Sequence, residues 1–200
     1  DLPEGDTAPL RQGMVERTPE DQFRYQELAV DLGPAQQLGS QPITLVDQSQ
    51  TNTGPRFAAL DAAGVLHVNE LRSRRNLLTG EVTVTATGGS LDLRRAGVLS
   101  AAGEPPGHVL LTGLGDNVML AWGDGRLVRV HSVRPDELQL TGEKDLVPEA
   151  GQRLTSVAFQ LGKASLVTGD DLGRIRVWFR VKDPDSDHVD GTSLVLAHEL

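Results

Sequence analysis

The chain has 200 residues, a formal net charge of −9, no cysteine and only seven aromatic residues (four Phe, two Trp, one Tyr). Without cysteine there is no disulfide framework and no thiolate zinc site. The acidic balance argues against a general nucleic-acid binder, which meets phosphates with a positive field. No apolar run approaches the ~18 residues a spanning helix needs, and a chain of this size buries roughly 70% of its unfolded surface without a staple.

The N-terminus opens Asp1-Leu2-Pro3-Glu4, without a basic segment or an apolar stretch, so no signal peptide is expected. Residues 1–22 contain Pro3, Gly5, Pro9, Gly13 and Pro19 and read as an extended loop. A first strand is expected over Gln26–Leu32, closed by Gly33-Pro34. From Ile43 onward, Val, Ile, Leu and Thr alternate in short runs between Gly, Asp, Asn and Pro, which predicts strands rather than helices. Strands are expected near 43–47, 56–60, 65–71 and 81–86, then 108–112, 117–122, 126–133 and 137–141. A last group is expected near 154–160, 164–168, 174–182 and 192–198.

These groups repeat one pattern: a small-and-apolar strand, a tight turn, and a second strand entered through Gly64, Gly125 or Gly173. Glycine supplies the positive φ such turns require, and aspartate bonds its own backbone beside it. Four antiparallel strands repeated radially make a β-propeller. The segment Leu154-Thr-Ser-Val-Ala-Phe159, then Ser165–Asp170, then Gly173-Arg-Ile-Arg-Val-Trp178 resembles a WD40 repeat. It departs from that family in having Phe179 where an Asp is usual and no Gly-His pair opening the blade, which questions the family's Asp–His network. The expected fold class is therefore all-β: a WD40-like β-propeller fragment of about three four-stranded blades with an extended N-terminal segment. The expected divisions are 1–34 (extended segment and outer strand of a preceding blade), 43–90, 107–150 and 154–200, together forming a single partial propeller domain.

Three segments carry a narrower resemblance: Leu71-Arg-Ser-Arg-Arg-Asn-Leu-Leu-Thr-Gly-Glu-Val82, Ala164–Phe179 and the acidic hairpin Lys182-Asp-Pro-Asp-Ser-Asp187. In order and spacing they are similar to the large extracytoplasmic insert of one group of phosphate ABC-transporter permease subunits of Gram-negative bacteria. The resemblance implies a periplasmic domain of an inner-membrane protein, non-catalytic and without cofactor, acting as a docking or regulatory surface in phosphate uptake. It also implies further blades on both sides, since a closed propeller needs about four to eight. The implied partners are the remainder of the permease with its transporter partners and the periplasmic phosphate-binding protein. Unpaired strand edges near Gln26–Leu32 or Ser193–His198 predict a homo-oligomer. The alternative function is a free-standing WD40-type protein-interaction scaffold; a propeller enzyme acting on a small anion or sugar is third.

Alternation over Arg174–Lys182 places Arg174, Arg176, Trp178, Arg180 and Lys182 on one face, and Ile175, Val177, Phe179 and Val181 on the other. The basic set reads as an exposed stripe, either for an anionic ligand or acidic partner or simply solvated. Arg72, Arg74 and Arg75 read as a second basic cluster in an exposed turn, available for docking. Asp183-x-Asp185-x-Asp187 imitates the first half of a calcium loop, but its sixth position is His188 and its twelfth is Leu194, so no metal is expected. His67, His108, His131, His188 and His198 lack ligand spacing and read as surface residues. No nucleophile elbow, Walker loop or dinucleotide fingerprint occurs.

Overall fold

Runs of alternating β-branched and aliphatic residues, broken by glycine turns, give twelve strands among the described residues. The structure, a computed structural model, describes residues 37–200 apart from positions 81, 133, 148, 150, 161 and 187. The strand expected over Gln26–Leu32 and the extended segment 1–34 lie outside the described residues.

Blade 1 comprises β1 (Ile43–Thr51), β2 (Gly54–Asp61), β3 (Val65–Arg75) and β4 (Val82–Asp92). Blade 2 comprises β5 (His108–Leu111), β6 (Asn117–Ala121), β7 (Arg126–His131) and β8 (Gln139–Asp145). Blade 3 comprises β9 (Leu154–Phe159), β10 (Ser165–Asp170), β11 (Ile175–Lys182) and β12 (Thr192–Glu199). In each sheet the strands pair antiparallel in chain order. Three four-stranded meanders stacked face to face are WD40-like propeller blades.

The stacking follows from period-two patterning. In β6, Val118 and Leu120 join a core cluster with Ala58, Leu60, Leu66 and Val68 of blade 1. The alternate residues Met119 and Ala121 join a second cluster with Leu166, Trp178 and Leu194 of blade 3. Blade 2 is thus sandwiched, and all five residues of β6 are buried. A sheet covered on both faces reads as a continuous apolar run, as Val118-Met-Leu-Ala121 does.

The largest departures from the expected strands are at β3, which runs to Arg75 instead of 71, and β4, which runs to Asp92 instead of 86. Their register continues through Arg72↔Thr85, Ser73↔Val84, Arg74↔Thr83 and Arg75↔Val82. Arg72, Arg74 and Arg75 therefore lie on a strand and not in a turn; the turn is the following Asn76–Gly80. The β-branched run Val82-Thr-Val-Thr85 is strongly strand-forming and recruits the arginine segment as its partner, although that segment has no apolar alternation of its own.

Candidate functional site

The turn between the second and third strands of each blade is built alike. Gly64, Gly125 and Gly173 have φ of +85°, +92° and +80°, and their amides bond the carbonyls of Asp61, Trp122 and Asp170, three residues earlier. In blade 1, Asp61 Oδ1 accepts from the amides of Ala63 and Val65 at 2.9 Å, while Oδ2 meets His67 Nε2 at 3.2 Å. Blade 3 repeats this: Asp170 Oδ1 accepts from Leu172 and Arg174 at 3.0 Å, and Oδ2 accepts from Arg176 Nη1 at 2.8 Å. Blade 2 has Trp122 and Val128 in the same places, and both enter the apolar core. The network that the sequence departures called into question is therefore rebuilt. An aspartate still organises the turn, with His67 or Arg176 on the neighbouring strand as its partner. Trp178 keeps its own bond, donating Nε1–H to Thr168 Oγ1 at 3.0 Å.

Further cations, the buried Arg56 and Arg129 and the partly exposed Lys163, tie the blades together. Arg56 of β2 donates Nε and Nη2 to Glu70 Oε2 at 3.2 and 2.6 Å, and Nη1 to the carbonyls of Gly115 and Ser132 in blade 2 at 2.7 and 2.8 Å. Arg129 of β7 reaches blade 3, bonding Asp190 Oδ2 at 3.3 Å and Thr192 through its hydroxyl and carbonyl at 2.9 and 2.7 Å. Lys163 of blade 3 contacts Asp47 Oδ2 at 3.1 Å and the Gln48 carbonyl on β1. Asp47 also accepts the Leu111 amide at 2.7 Å. One carboxylate on an inner strand thereby touches all three blades.

This network corrects the expected basic stripe. Arg176 is 1% exposed and Trp178 3%, on the face that packs against blade 2. Arg176 Nε and Nη2 are further taken by Glu199 at 2.6 Å and Glu149 at 3.1 Å. Arg174 binds Glu149 at 2.5 Å and Arg180 binds Asp116 at 3.0 Å, so of the stripe only Lys182 is an exposed residue without a carboxylate partner among the described residues. Alternation placed these residues on one face correctly but inverted which face meets solvent, because each guanidinium finds acids contributed by distant segments. The outward face carries the apolar residues instead: Ile175 is 46% exposed and Phe179 42%, with Val181 and Val195 beside them.

The histidine expectation also changes: His67 and His131 are buried. His67 is held by Asp61 across a tight turn, a pairing that the six-residue spacing allows. Among the described residues no group of three or more His, Asp or Glu could hold a metal ion. Asp183 instead accepts from the Asp185 amide at 3.1 Å and the Ser193 hydroxyl at 2.5 Å; Asp187 lies outside the described residues. A cavity of about 340 Å³ between blades 2 and 3 is lined by Met119, Phe159, Leu166, Leu194, Lys163 and Arg180, and both cations carry the carboxylate partners named above.

The carboxyls of Asp61, Glu70 and Asp170, which are buried, and of Asp116 and Asp190, which are partly buried, all sit below the usual carboxylate range. Burial alone would raise them. At Glu70 the Arg56 and Arg72 guanidiniums outweigh it, and at Asp170 the Arg174 amide, the Arg176 guanidinium and the Leu172 amide do. A carboxyl whose folded pKa is depressed takes up fewer protons than in the unfolded chain, so its stabilisation is complete above the unfolded value and lost as pH falls through the folded one. We expect the urea midpoint to fall steadily from about pH 5 to about pH 2. E70Q should flatten part of that fall; a midpoint flat over this range would contradict the assignment.

No family model matches the chain, and no curated protein matches it. Solved structures similar to it include the WD40 domain of SCAP from fission yeast, at 15% identity and a TM-score of 0.48, over 80% of this chain and 34% of that one. The complex of the fission yeast SREBP–SCAP binding domains aligns at 14% identity and 0.49, over 94% and 44%. The β-propeller domain of Cps50 (Swd1) from Myceliophteria thermophila aligns at 12% and 0.42, over 72% and 41%. The chain spans less than half the length of each of these structures.

Proposed function

We propose that this chain is a non-catalytic docking domain whose outward face on blade 3 receives a further blade-like sheet. The observation that carries this reading is a positional equivalence between blades. Five residues after the start of each turn stand Leu66, Leu127 and Ile175; Leu66 and Leu127 are fully buried against the next blade, whereas Ile175 is half exposed. One residue later, His67, Val128 and Arg176 face the opposite way. Blade 3 therefore presents Ile175, Val177, Phe179 and Val181 on the face that its two predecessors cover. An apolar sheet face of this kind marks an interaction surface.

Within that reading, the domain belongs to the extracytoplasmic side of a phosphate ABC-transporter permease. Support comes from the order of Leu71–Val82, Ala164–Phe179 and the acidic hairpin after Lys182. The partners are then the rest of the permease, the periplasmic phosphate-binding protein, or a second copy. The test is a photo-crosslinking residue at Phe179 in the full-length protein expressed in its own membrane. Capture of permease or phosphate-binding protein is expected, together with spanning segments on both sides of the chain in its reading frame. A frame without spanning segments would leave the free-standing interaction scaffold.

A further inference from the structure

The hairpin joining β3 and β4 projects past the rest of blade 1. From Arg72 to Gly80 every residue is exposed, and so are Val82–Ala86 on the returning strand. Leu77 and Leu78 at its tip are 93% and 97% exposed. The tip is shaped rather than loose: Asn76 Oδ1 accepts the Leu78 amide at 2.9 Å, and the Gly80 amide bonds the Asn76 carbonyl at 2.8 Å. The base is anchored, because Arg72 donates to Glu70 at 2.6 Å and Glu70 is locked to Arg56 and so to blade 2. Cross-strand register makes the arm two-sided. Arg72 and Arg74 share one face with Thr85 and Thr83; Ser73 and Arg75 share the other with Val84 and Val82.

From this geometry we infer that the arm is a membrane-touching element whose Leu77-Leu78 tip enters the interface of an anionic lipid bilayer while Arg74 and Arg75 meet the phosphate headgroups. Two observations favour a bilayer over a protein groove. The first is charge: in a chain of net −9, the stretch Leu71–Val82 carries three arginines and one carboxylate, Glu81, and neither Arg74 nor Arg75 pairs with a carboxylate among the described residues. The second is depth. At no more than about 3.3 Å per residue, Arg75 and Arg74 lie within about 7–10 Å of Leu77 along the arm. An interfacial apolar face buries about 5–10 Å into the headgroup boundary, so tip and arginines fall on opposite sides of it. A narrow convex tip also offers little area to a flat protein surface but loses nothing by entering a fluid one. The inference is independent of the transporter reading, since a free-standing scaffold with this arm would partition the same way.

The test is co-sedimentation of the intact chain with vesicles of phosphatidylcholine alone or mixed with phosphatidylglycerol. Binding is expected to the mixed vesicles, weakening as salt screens the arginines. The double variant R74Q/R75Q should lose about 30-fold in partitioning, from about a tenfold factor per 1.4 kcal/mol and about 1 kcal/mol per arginine. L77S/L78S should lose binding while keeping the wild-type unfolding midpoint, because neither leucine packs on the core. No preference for the mixed vesicles, or variants that partition like the wild type, would overturn the inference. Capture of a protein by a crosslinker at Leu78, with vesicles untouched, would overturn it in favour of a protein groove.

Discussion

Arg176→Met is expected to destabilise the chain by about 3–5 kcal/mol, because it strands a buried carboxylate. Arg176 is among the largest fully buried side chains, and its guanidinium serves Asp170, Glu149 and Glu199 at once. Of these, only Asp170 is itself buried, so it alone is left without solvent when the cation goes. Asp170 cannot turn away, since its other oxygen holds the amides of Leu172 and Arg174. Adding Asp170→Asn keeps that turn acceptor and removes the stranded charge, so the double variant D170N/R176M should recover part of the loss. Denaturant melts of the two singles and the double give the coupling directly. A single R176M variant within about 1 kcal/mol of wild type would mean that the pair is solvated, as surface ion pairs are.

The second large effect is expected at Arg56. Arg56→Met leaves Glu70 with the half-exposed Arg72 as its one remaining cation, and it breaks both bonds to the Gly115 and Ser132 carbonyls of blade 2. A loss of about 3–5 kcal/mol is expected, against about 0–1 kcal/mol for Arg72→Ala. The two substitutions also differ in reach. Arg56→Met should raise amide exchange on both sides of the boundary between blades 1 and 2, whereas Arg72→Ala should touch only the arm. Equal exchange in the two variants would show that Arg56 does not join the blades.

The strand pattern was legible because it rests on near-neighbour chemistry. Alternation and the glycines at 64, 125 and 173 place all twelve described strands without knowledge of what packs against them. Burial was less legible, because it depends on partners far along the chain. Arg174–Lys182 reads as a solvated basic stripe unless one knows that Asp170, Glu149 and Glu199 converge on Arg176. One local signal does mark this pairing: an aspartate, a glycine three residues on and a His or Arg six residues on recur at 61, 64, 67 and at 170, 173, 176. That spacing puts the third residue opposite the turn aspartate, where only a hydrogen-bonding or cationic side chain satisfies its outer oxygen. Arg56, Glu70, Arg129 and Asp190 had no such local mark, since each acts across a blade boundary or a full hairpin.

The arm shows the same limit from the other side. Arg72, Arg74 and Arg75 were visible as a cluster, but their strand conformation depended on Val82–Thr85, seven to thirteen residues away. Once that pairing is known, the cluster becomes the shaft of a projecting hairpin, and its leucine tip becomes its most exposed feature.

The proposed docking role rests on the outward face of blade 3 being an unfilled blade-to-blade surface. Sedimentation velocity over a wide concentration range tests it on the wild-type chain and on Phe179→Glu. Reversible self-association of the wild type is expected, abolished in the variant with no fall in the unfolding midpoint of the monomer. A wild type that stays monomeric at every concentration, sedimenting like the variant, would contradict it.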